Sequence, residues 1–458
     1  MASAGVTAAY AEPAPGPDLP AALIAALDRD LHIDAERYLA RAESAQRLAD
    51  FETTARLAYP MTLAGVWMDG DIPVVGLADG TSREQAGRTA ERAGFTVRRV
   101  TDSAATLHKR RDAVTRWAAT QPAAIAASIL DGGIDYAGNA VTVRAVGHPT
   151  LPAELGPVRV LAAGQSVRGP LRVPVESPST PVLAATTAGG EMSGGQAYWF
   201  PMGGGYKGGC SLGFNGTDAQ GNTVFVTAGH CDPMRNDPGR DSEEQRRVYR
   251  DITRGPDGKA ELGTAFGHFA TSNLGPYDYG IVRVHDQFAA NFQNNLVSAE
   301  TKSFPTEPGQ AGAPGSGGGS NLALPSGSGE GATAARTAVT ATAPAPVHID
   351  GVASPVIGAP VCKSGMTTGY TCGTITAVDR VGTETDGKTT NTFEGFFIAQ
   401  LCAYHGDSGG SVITGTKALG MSASGRQGDG YCAADGTLNV QPIGRVLTDN
   451  PGLRIRTS

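Results

Sequence analysis

Two short stretches hold residue types that could do chemistry together. One reads Cys402-Ala403-Tyr404-His405-Gly406-Asp407-Ser408-Gly409-Gly410, the other Thr227-Ala228-Gly229-His230-Cys231. A serine framed by glycines lets backbone N–H groups turn toward a substrate carbonyl. A histidine beside a cysteine is fixed in place. Nucleophile, base and oxyanion donors are the equipment of acyl transfer. A serine hydroxyl is a poor nucleophile at neutral pH, so Ser408 needs a base within hydrogen-bond reach. The candidates are His230, His268, His285, His348 and His405. His230 stands out because the apolar run Val224-Phe225-Val226 ends on a small-residue turn just before it, and Cys231 anchors the next position. Asp278 directly precedes the apolar run Tyr279–Val284, where a buried carboxylate would need a partner such as the imidazole. Asp232, Asp251 and Asp286 lie in more polar surroundings.

Three further stretches join these motifs: Tyr277-Asp278-Tyr279-Gly280-Ile281-Val282, Val361-Cys362-Lys363-Ser364-Gly365-Met366-Thr367-Thr368-Gly369-Tyr370-Thr371-Cys372-Gly373, and Gln441-Pro442-Ile443. In this order they resemble the chymotrypsin-like serine endopeptidases, and more narrowly the bacterial alpha-lytic protease and streptogrisin group, over roughly residues 190–458. The resemblance implies a catalytic triad of His230, Asp278 and Ser408, with Gly406 and Ser408 N–H groups as oxyanion hole. It implies an all-β two-barrel protease domain and no cofactor or metal. Gly406–Gly410 also fits the G-x-S-x-G elbow of α/β-hydrolases, which would make an esterase. In those folds the histidine follows the serine, and here the last histidine is His405. A second rival, an inactive protease fold kept as a binding module, should have lost Ser408, His230 or an oxyanion glycine, and none is missing.

The resemblance and sequence proximity select the disulfides Cys210–Cys231, Cys362–Cys372 and Cys402–Cys432, a pairing the sequence alone leaves open. Asp407 needs a cation. The bacterial group places a basic residue beside the first cysteine of the hairpin, and that position is Lys363, where close relatives carry Arg. Lysine is a point charge and cannot pair bidentately. The implied specificity pocket is walled by Ala403, Tyr404 and His405, by Met421, Ser422, Ala423, Ser424 and Gly425, and by residues before Cys432. Met421 and the lack of a pocket acid suggest an apolar P1 side chain. Relatives have a shorter Ser-Gly-Gly wall at this point.

The composition is consistent with this reading. The chain has 458 residues, 63 glycines and 18% charged residues, which suits turn-rich β structure. A net charge of −7 with no basic cluster offers nothing to nucleic acid, and no apolar run reaches membrane-spanning length. All six cysteines lie from Cys210 onward, with no CxxC pair for zinc. An even count in one region points to disulfides and an oxidising, extracellular compartment. The start Met1–Glu12 has neither a basic n-region nor an apolar h-region, yet Ala9-Tyr10-Ala11 reads like the end of a cleavage site. It is either the remnant of a secretory signal or an Ala-rich disordered start. The expected partners are protein or peptide substrates and the chain's own pro-region; a monomer is expected.

The elements that must position these residues follow from periodicity. Residues 1–20 read as loose. Leu23, Ile24, Leu27, Leu31, Tyr38, Leu39, Ala42, Leu48 and Phe51 recur at helical spacing and predict two helices. A hairpin over 63–77 turns at Asp69-Gly70, followed by a helix over 82–93, a strand over 96–100 and a helix over 104–119. A second hairpin over 125–143 repeats the layout. Two such units suggest a duplicated small α+β fold, and the family's pro-region is built in this manner. Residues 21–171 are therefore expected to be a pro-region acting as folding chaperone and inhibitor, 172–188 a processing linker, and 189–458 the protease domain. Within that domain the charged stretch 232–258 reads as an inserted loop, and the Gly/Ser/Ala-rich 305–346 as a disordered insertion.

Overall fold

The computed structural model describes residues 19–147, 149–162, 165–168, 170–174, 190–235, 242–257, 259–302, 304–306, 344–385 and 390–457. The expected loose residues 1–18, most of the expected linker (175–188) and most of the expected insertion (307–343) lie outside these.

The N-terminal region is α+β. Helix Ala21–Leu31 buries Leu23, Ala26 and Leu27 on one face. Helix Ala35–Ala58 starts where the Asp34 carboxylate accepts the N–H of Arg37 at 2.7 Å, an N-cap. Strands Leu63–Asp69 and Ile72–Leu77 pair antiparallel through the Asp69-Gly70 turn, with Gly70 at φ 63°. Helix Arg83–Arg92 then returns the chain so that strand Thr96–Arg99 adds parallel to the second strand. The same order recurs downstream. Strands Ile129–Asp135 and Ala140–Ala145 pair antiparallel, and Val158–Ala162 adds parallel to the latter. The repeated layout is thus present, although a single 3₁₀ turn, Ala153–Leu155, replaces the crossover helix.

The two units differ in what they join. The first stays a three-stranded sheet. The second adds its strand Ile129–Asp135 to strand Gly369–Thr385, with Val378 opposite Ile134 and Val381 opposite Gly132. Asp131 pairs with Arg144 of its own hairpin at 2.5 Å and reaches across this seam to Arg380, all three nearly buried. A Cβ on Gly133 would collide with the Arg380 side chain, so the glycine opens its path.

The rest is all-β. The first sheet includes Ala197–Gly203, Tyr206–Ser211, Phe214–Thr217, Thr223–Thr227, Ala265–Leu274 and Asp278–Val284. It wraps an aromatic core of Tyr198, Phe200, Phe225, Phe266, Phe269 and Phe292. In the second sheet Pro360–Gly365, Ser411–Thr414, Lys417–Gln427, Thr437–Pro442, Thr390–Gln400 and Gly369–Thr385 pair in that order. Gly369–Thr385 pairs back onto Pro360–Gly365, which closes a six-stranded barrel. The expected fold class, a chymotrypsin-like two-barrel unit behind a small α+β region, is the one observed.

Two expectations need correction. The stretch 232–258 is not only an inserted loop. Arg247–Tyr249 belongs to the first sheet, held by the fully buried Val248, and Ile252–Arg254 forms a hairpin with Ala260–Leu262. The expected linker 172–188 begins inside a strand, since Leu171–Pro174 pairs with Tyr206–Ser211.

Candidate active site

Strand Thr223–Thr227 sends Phe225 into the aromatic core and Val224 and Val226 into the cluster on its other face, and ends at Ala228, after which a 3₁₀ turn, Gly229–Cys231, presents His230. The turn packs so tightly that a Cβ on Gly229 would collide with the carbonyl of Asn273. Asp278 opens the neighbouring strand Asp278–Val284 and is 1% exposed. Its carboxylate grips His230 twice: Oδ1 accepts the backbone N–H at 2.9 Å, and Oδ2 lies 2.6 Å from ring Nδ1. An ionised carboxylate only accepts, so Nδ1 carries the proton and Nε2 is left with its lone pair. Nε2 is buried and has no hydrogen-bond partner among the described residues. Asp278 is itself held by its N–H donating to Gln441 Oε1 at 2.9 Å.

Ser408 sits in the loop between strands Thr390–Gln400 and Ser411–Thr414. Its carbonyl accepts the N–H of Ser211 at 2.8 Å, and the Ser211 hydroxyl donates to the Gly406 carbonyl at 2.8 Å. Ser211 adjoins Cys210, whose disulfide partner Cys231 adjoins His230. Serine loop and histidine turn are thereby held on one short strand end. Gly406 (φ 94°) and Gly409 (φ 82°) occupy backbone conformations that side chains disfavour. The His405 carbonyl accepts the Thr367 hydroxyl at 2.5 Å, and the Asp407 carbonyl accepts the Gly410 N–H at 2.9 Å. In a trans peptide the N–H points opposite to the C=O. Anchoring those two carbonyls therefore turns the N–H groups of Gly406 and Ser408 the other way.

Lys363 and Asp407 meet in the interior. Lys363 Nζ lies 3.2 Å from Asp407 Oδ2, with the two side chains 0% and 1% exposed. Nζ also donates to the Thr368 hydroxyl and to the Gly369 carbonyl, the latter at 2.8 Å. Burial, the largest influence, pulls the Lys363 pKa down, while Asp407 pulls it up. The cysteines pair as Cys210–Cys231, Cys362–Cys372 and Cys402–Cys432, with none left free.

The residues named for the specificity wall are spread over two surroundings. Ser422, Ala423, Ser424 and Gly425 lie in strand Lys417–Gln427. Ala423 packs with Phe393 and Phe396. The Tyr404 hydroxyl donates to the Gly428 carbonyl at 3.3 Å and accepts the Gly430 N–H at 2.6 Å, so Tyr404 braces the loop leading to Cys432, while Ala403 is buried. Met421 is fully buried in the cluster of Phe214, Val226, Tyr279 and Ile413.

The sequence did not reveal the segment 165–174. Its first part, Gln165–Arg168, pairs antiparallel with the wall strand, Val167 opposite Gly425 and Arg168 opposite Ser424. Its second part, Leu171–Pro174, pairs antiparallel with the first sheet, Leu171 opposite Gly209 and Arg172 opposite Gly208. The chain thus passes from one barrel to the other. Leu171 Cβ lies 3.1 Å from where a Gly406 Cβ would stand. A cavity of about 1160 Å³ opens beside it, lined by His230, Pro170, Arg172, Met202 and Arg426. Ser211 and Gln441, which hold the serine loop and Asp278, were also missed as site residues, although Gln441 lay in a recognised stretch.

No family model matches this chain. It is 41% identical over 101 residues to streptogrisin-C of Streptomyces griseus, covering 22% of this chain and 21% of that protein. It is 27% identical over 256 residues to streptogrisin-D of the same organism, covering 56% of this chain and 46% of that one. It is 26% identical over 246 residues to serine protease 2 of Streptomyces fradiae, covering 54% of this chain and 99% of that one. The chain spans about a fifth of streptogrisin-C and about half of streptogrisin-D. It is similar to bacterial serine proteases of the chymotrypsin-like kind.

Proposed function

We propose that this chain is a secreted serine endopeptidase made in a latent form. The observation that carries the reading is the double grip of Asp278 on His230, which leaves a buried Nε2 with no partner among the described residues, on a turn whose Cys231 Sγ lies 3.9 Å from the Ser408 carbonyl. Ser408 Oγ attacks the scissile carbonyl as His230 Nε2 takes its proton. The oxyanion is met by the N–H groups of Gly406 and Ser408, donors worth about 3–4 kcal/mol of barrier each. His230 returns the proton to the leaving amine, and an acyl-enzyme remains on Ser408. Water, deprotonated by His230, then hydrolyses the ester. Asp278 keeps the imidazole in the right tautomer and stabilises its charged form.

Three paired disulfides support export to an oxidising compartment. No helix among the described residues is long and apolar enough to cross a membrane. The cavity lining of Ala423, Phe393 and Phe396 supports an apolar P1 preference; Met421, named for that wall, is buried in the core behind it. Residues 21–171 are read as the pro-region and 189–458 as the protease.

Latency rests on the crossing segment. It pairs with the wall strand on one side and with Gly209 on the other, as an extended substrate in the cleft would. Between its two strands the sequence is Gly169-Pro170. A bond to proline, whose ring fixes φ and whose nitrogen bears no hydrogen, is poorly suited to being cut there. The segment therefore blocks the cleft and survives in it. A fluorophosphonate probe tests the proposal. Processed protein should be labelled at Ser408 and should cleave peptides. Labelling of Ser408→Ala at an undiminished rate, or esterase activity without peptide cleavage, would count against it.

A further inference from the structure

Outside the catalytic machinery, three side chains converge on the first barrel. His268 lies in strand Ala265–Leu274. His285 follows strand Asp278–Val284, with its N–H donating to the Phe266 carbonyl at 2.9 Å. In this register Arg283 stands opposite His268, so His285 is its diagonal neighbour across the two strands. Glu243, from the 3₁₀ turn Glu243–Arg246, reaches over both. Glu243 Oε1 lies 3.4 Å from His268 Nδ1 and 3.3 Å from His285 Nε2, and the two ring nitrogens are 3.5 Å apart.

These three separations are alike, and all are longer than the usual 2.7–3.2 Å of N–H···O bonds. They match the edges of a tetrahedron. A tetrahedron with edges of about 3.4 Å has its centre about 2.1 Å from each corner, the Zn–N and Zn–O bond length. An octahedral ion with bonds of about 2.1 Å would need edges near 3.0 Å, and a magnesium or calcium site would be built from oxygen. We propose that His268 Nδ1, His285 Nε2 and Glu243 Oε1 form a zinc site on the first barrel, with its fourth position open to water.

The surroundings suit such a site. The His268 and His285 side chains are 16% and 23% exposed, and Glu243 is 58% exposed, so an ion can enter from solvent. All six cysteines are in disulfides, so no thiolate competes for the ion.

The site would fasten a turn whose other end reaches the buried Asp232. Arg246 Nε donates to Asp232 Oδ2 at 2.9 Å, and the Arg246 guanidinium reaches the Ser272 hydroxyl at 3.0 Å. Asp232 is fully buried two residues after His230. Zinc held by Glu243 would pin the turn that keeps Arg246 on Asp232, making Arg246 a positioning residue.

The test uses the full chain carrying Ser408→Ala, dialysed against chelator and titrated with zinc chloride by calorimetry. One equivalent should bind. Changes outside the coordination shell already weaken zinc sites by about 10–100-fold, so His268→Gln, His285→Gln and Glu243→Gln should each weaken binding at least about tenfold. Cobalt added to the same Ser408→Ala chain should give the intense visible absorption of four-coordinate cobalt, a readout that needs no further variant to fold. Failure to bind zinc, binding unchanged in all three variants, or the pale spectrum of six-coordinate cobalt would overturn the site.

Discussion

Asp407→Asn should be the most damaging conservative change near the serine loop, more damaging than Lys363→Met. The Asp407 carboxylate accepts four hydrogen bonds: the N–H groups of Thr367, Thr368 and Tyr404 at 2.9, 3.0 and 2.9 Å, and the Thr368 hydroxyl at 2.6 Å. Lys363 adds a charge at 3.2 Å. Removing the lysine leaves a carboxylate still held by four donors. That resembles one buried group short of a partner, about 1–3 kcal/mol. Removing the carboxylate charge leaves a fully buried ammonium with only the Thr368 hydroxyl and the Gly369 carbonyl. It also sets an Asn NH₂ against donors that Oδ2 now accepts. Breaking a buried pair in this way costs about 3–5 kcal/mol. Urea unfolding of both variants in the Ser408→Ala chain measures the difference. In the Ser408 chain, probe labelling should fall further for Asp407→Asn, because the carboxylate also holds the Tyr404 N–H of the serine loop. A loss under about 1 kcal/mol for Asp407→Asn, or a larger loss for Lys363→Met, would refute the assignment. The pH dependence has a definite sign. Burial lowers the Lys363 pKa in the folded chain, so between that value and the ordinary one the unfolded chain binds more protons. In that window this group makes stability rise with pH, and Lys363→Met should remove the rise.

Asp278→Asn should lower peptide hydrolysis by about 10⁴-fold, with the backbone intact by circular dichroism, because the imidazole takes the wrong tautomer; a loss below tenfold would remove Asp278 from the mechanism. Ser408→Ala should leave the full chain unprocessed, and self-maturation of the purified variant would sink self-cleavage. Pro170→Ala should let the crossing segment be cut between Arg168 and Leu171, seen by N-terminal sequencing, whereas an uncut and fully active chain would show that the segment does not block the cleft. Peptides with Phe, Leu or Met at P1 should be cut faster than those with Arg or Glu, and a preference for Arg would overturn the apolar pocket. Residues 188–458 should refold from denaturant faster when 21–187 is added, and equal recovery without it would end the chaperone reading.

What was legible in the sequence were features carried by side-chain pattern. The spacing of Leu23 and Leu27, the Asp69-Gly70 turn and the apolar runs before His230 and after Asp278 reflect burial, and burial leaves a periodic trace. The Lys363–Asp407 pair was readable because an acid beside Ser408 needs a cation and the family resemblance pointed to position 363. What was not legible depends on backbone pairing or on register between distant strands. Gln165–Arg168 joins the wall strand through main-chain hydrogen bonds, which need no particular side chain. Arg247–Tyr249 hides in a charged stretch because one residue, Val248, carries its burial. Ala123–Ser128 is helix where a strand was expected to begin, since alanine runs favour helix over strand. Glu243, His268 and His285 become neighbours only once the register of the two strands is set.

On the proposed function, the placement of the N-terminal region would give one chain both its catalytic groups and a means of restraining them. Ile129–Asp135 extends the sheet of the second barrel, Gln165–Arg168 adds to its wall strand, and Leu171–Pro174 adds to the edge of the first sheet. His230 and Asp278 come from the first sheet and Ser408 from the second barrel. Any element bridging the two therefore acts on the separation between base and nucleophile. Pairings between strands so distant in sequence form late in folding, because the intervening loops must first be closed at an entropic cost. A covalently attached bridge supplies its strands at high effective concentration. The same backbone bonds that help bring the barrels together must then cover the cleft, because the free strand edges next to Ser424 and Gly209 are the edges an extended substrate would use.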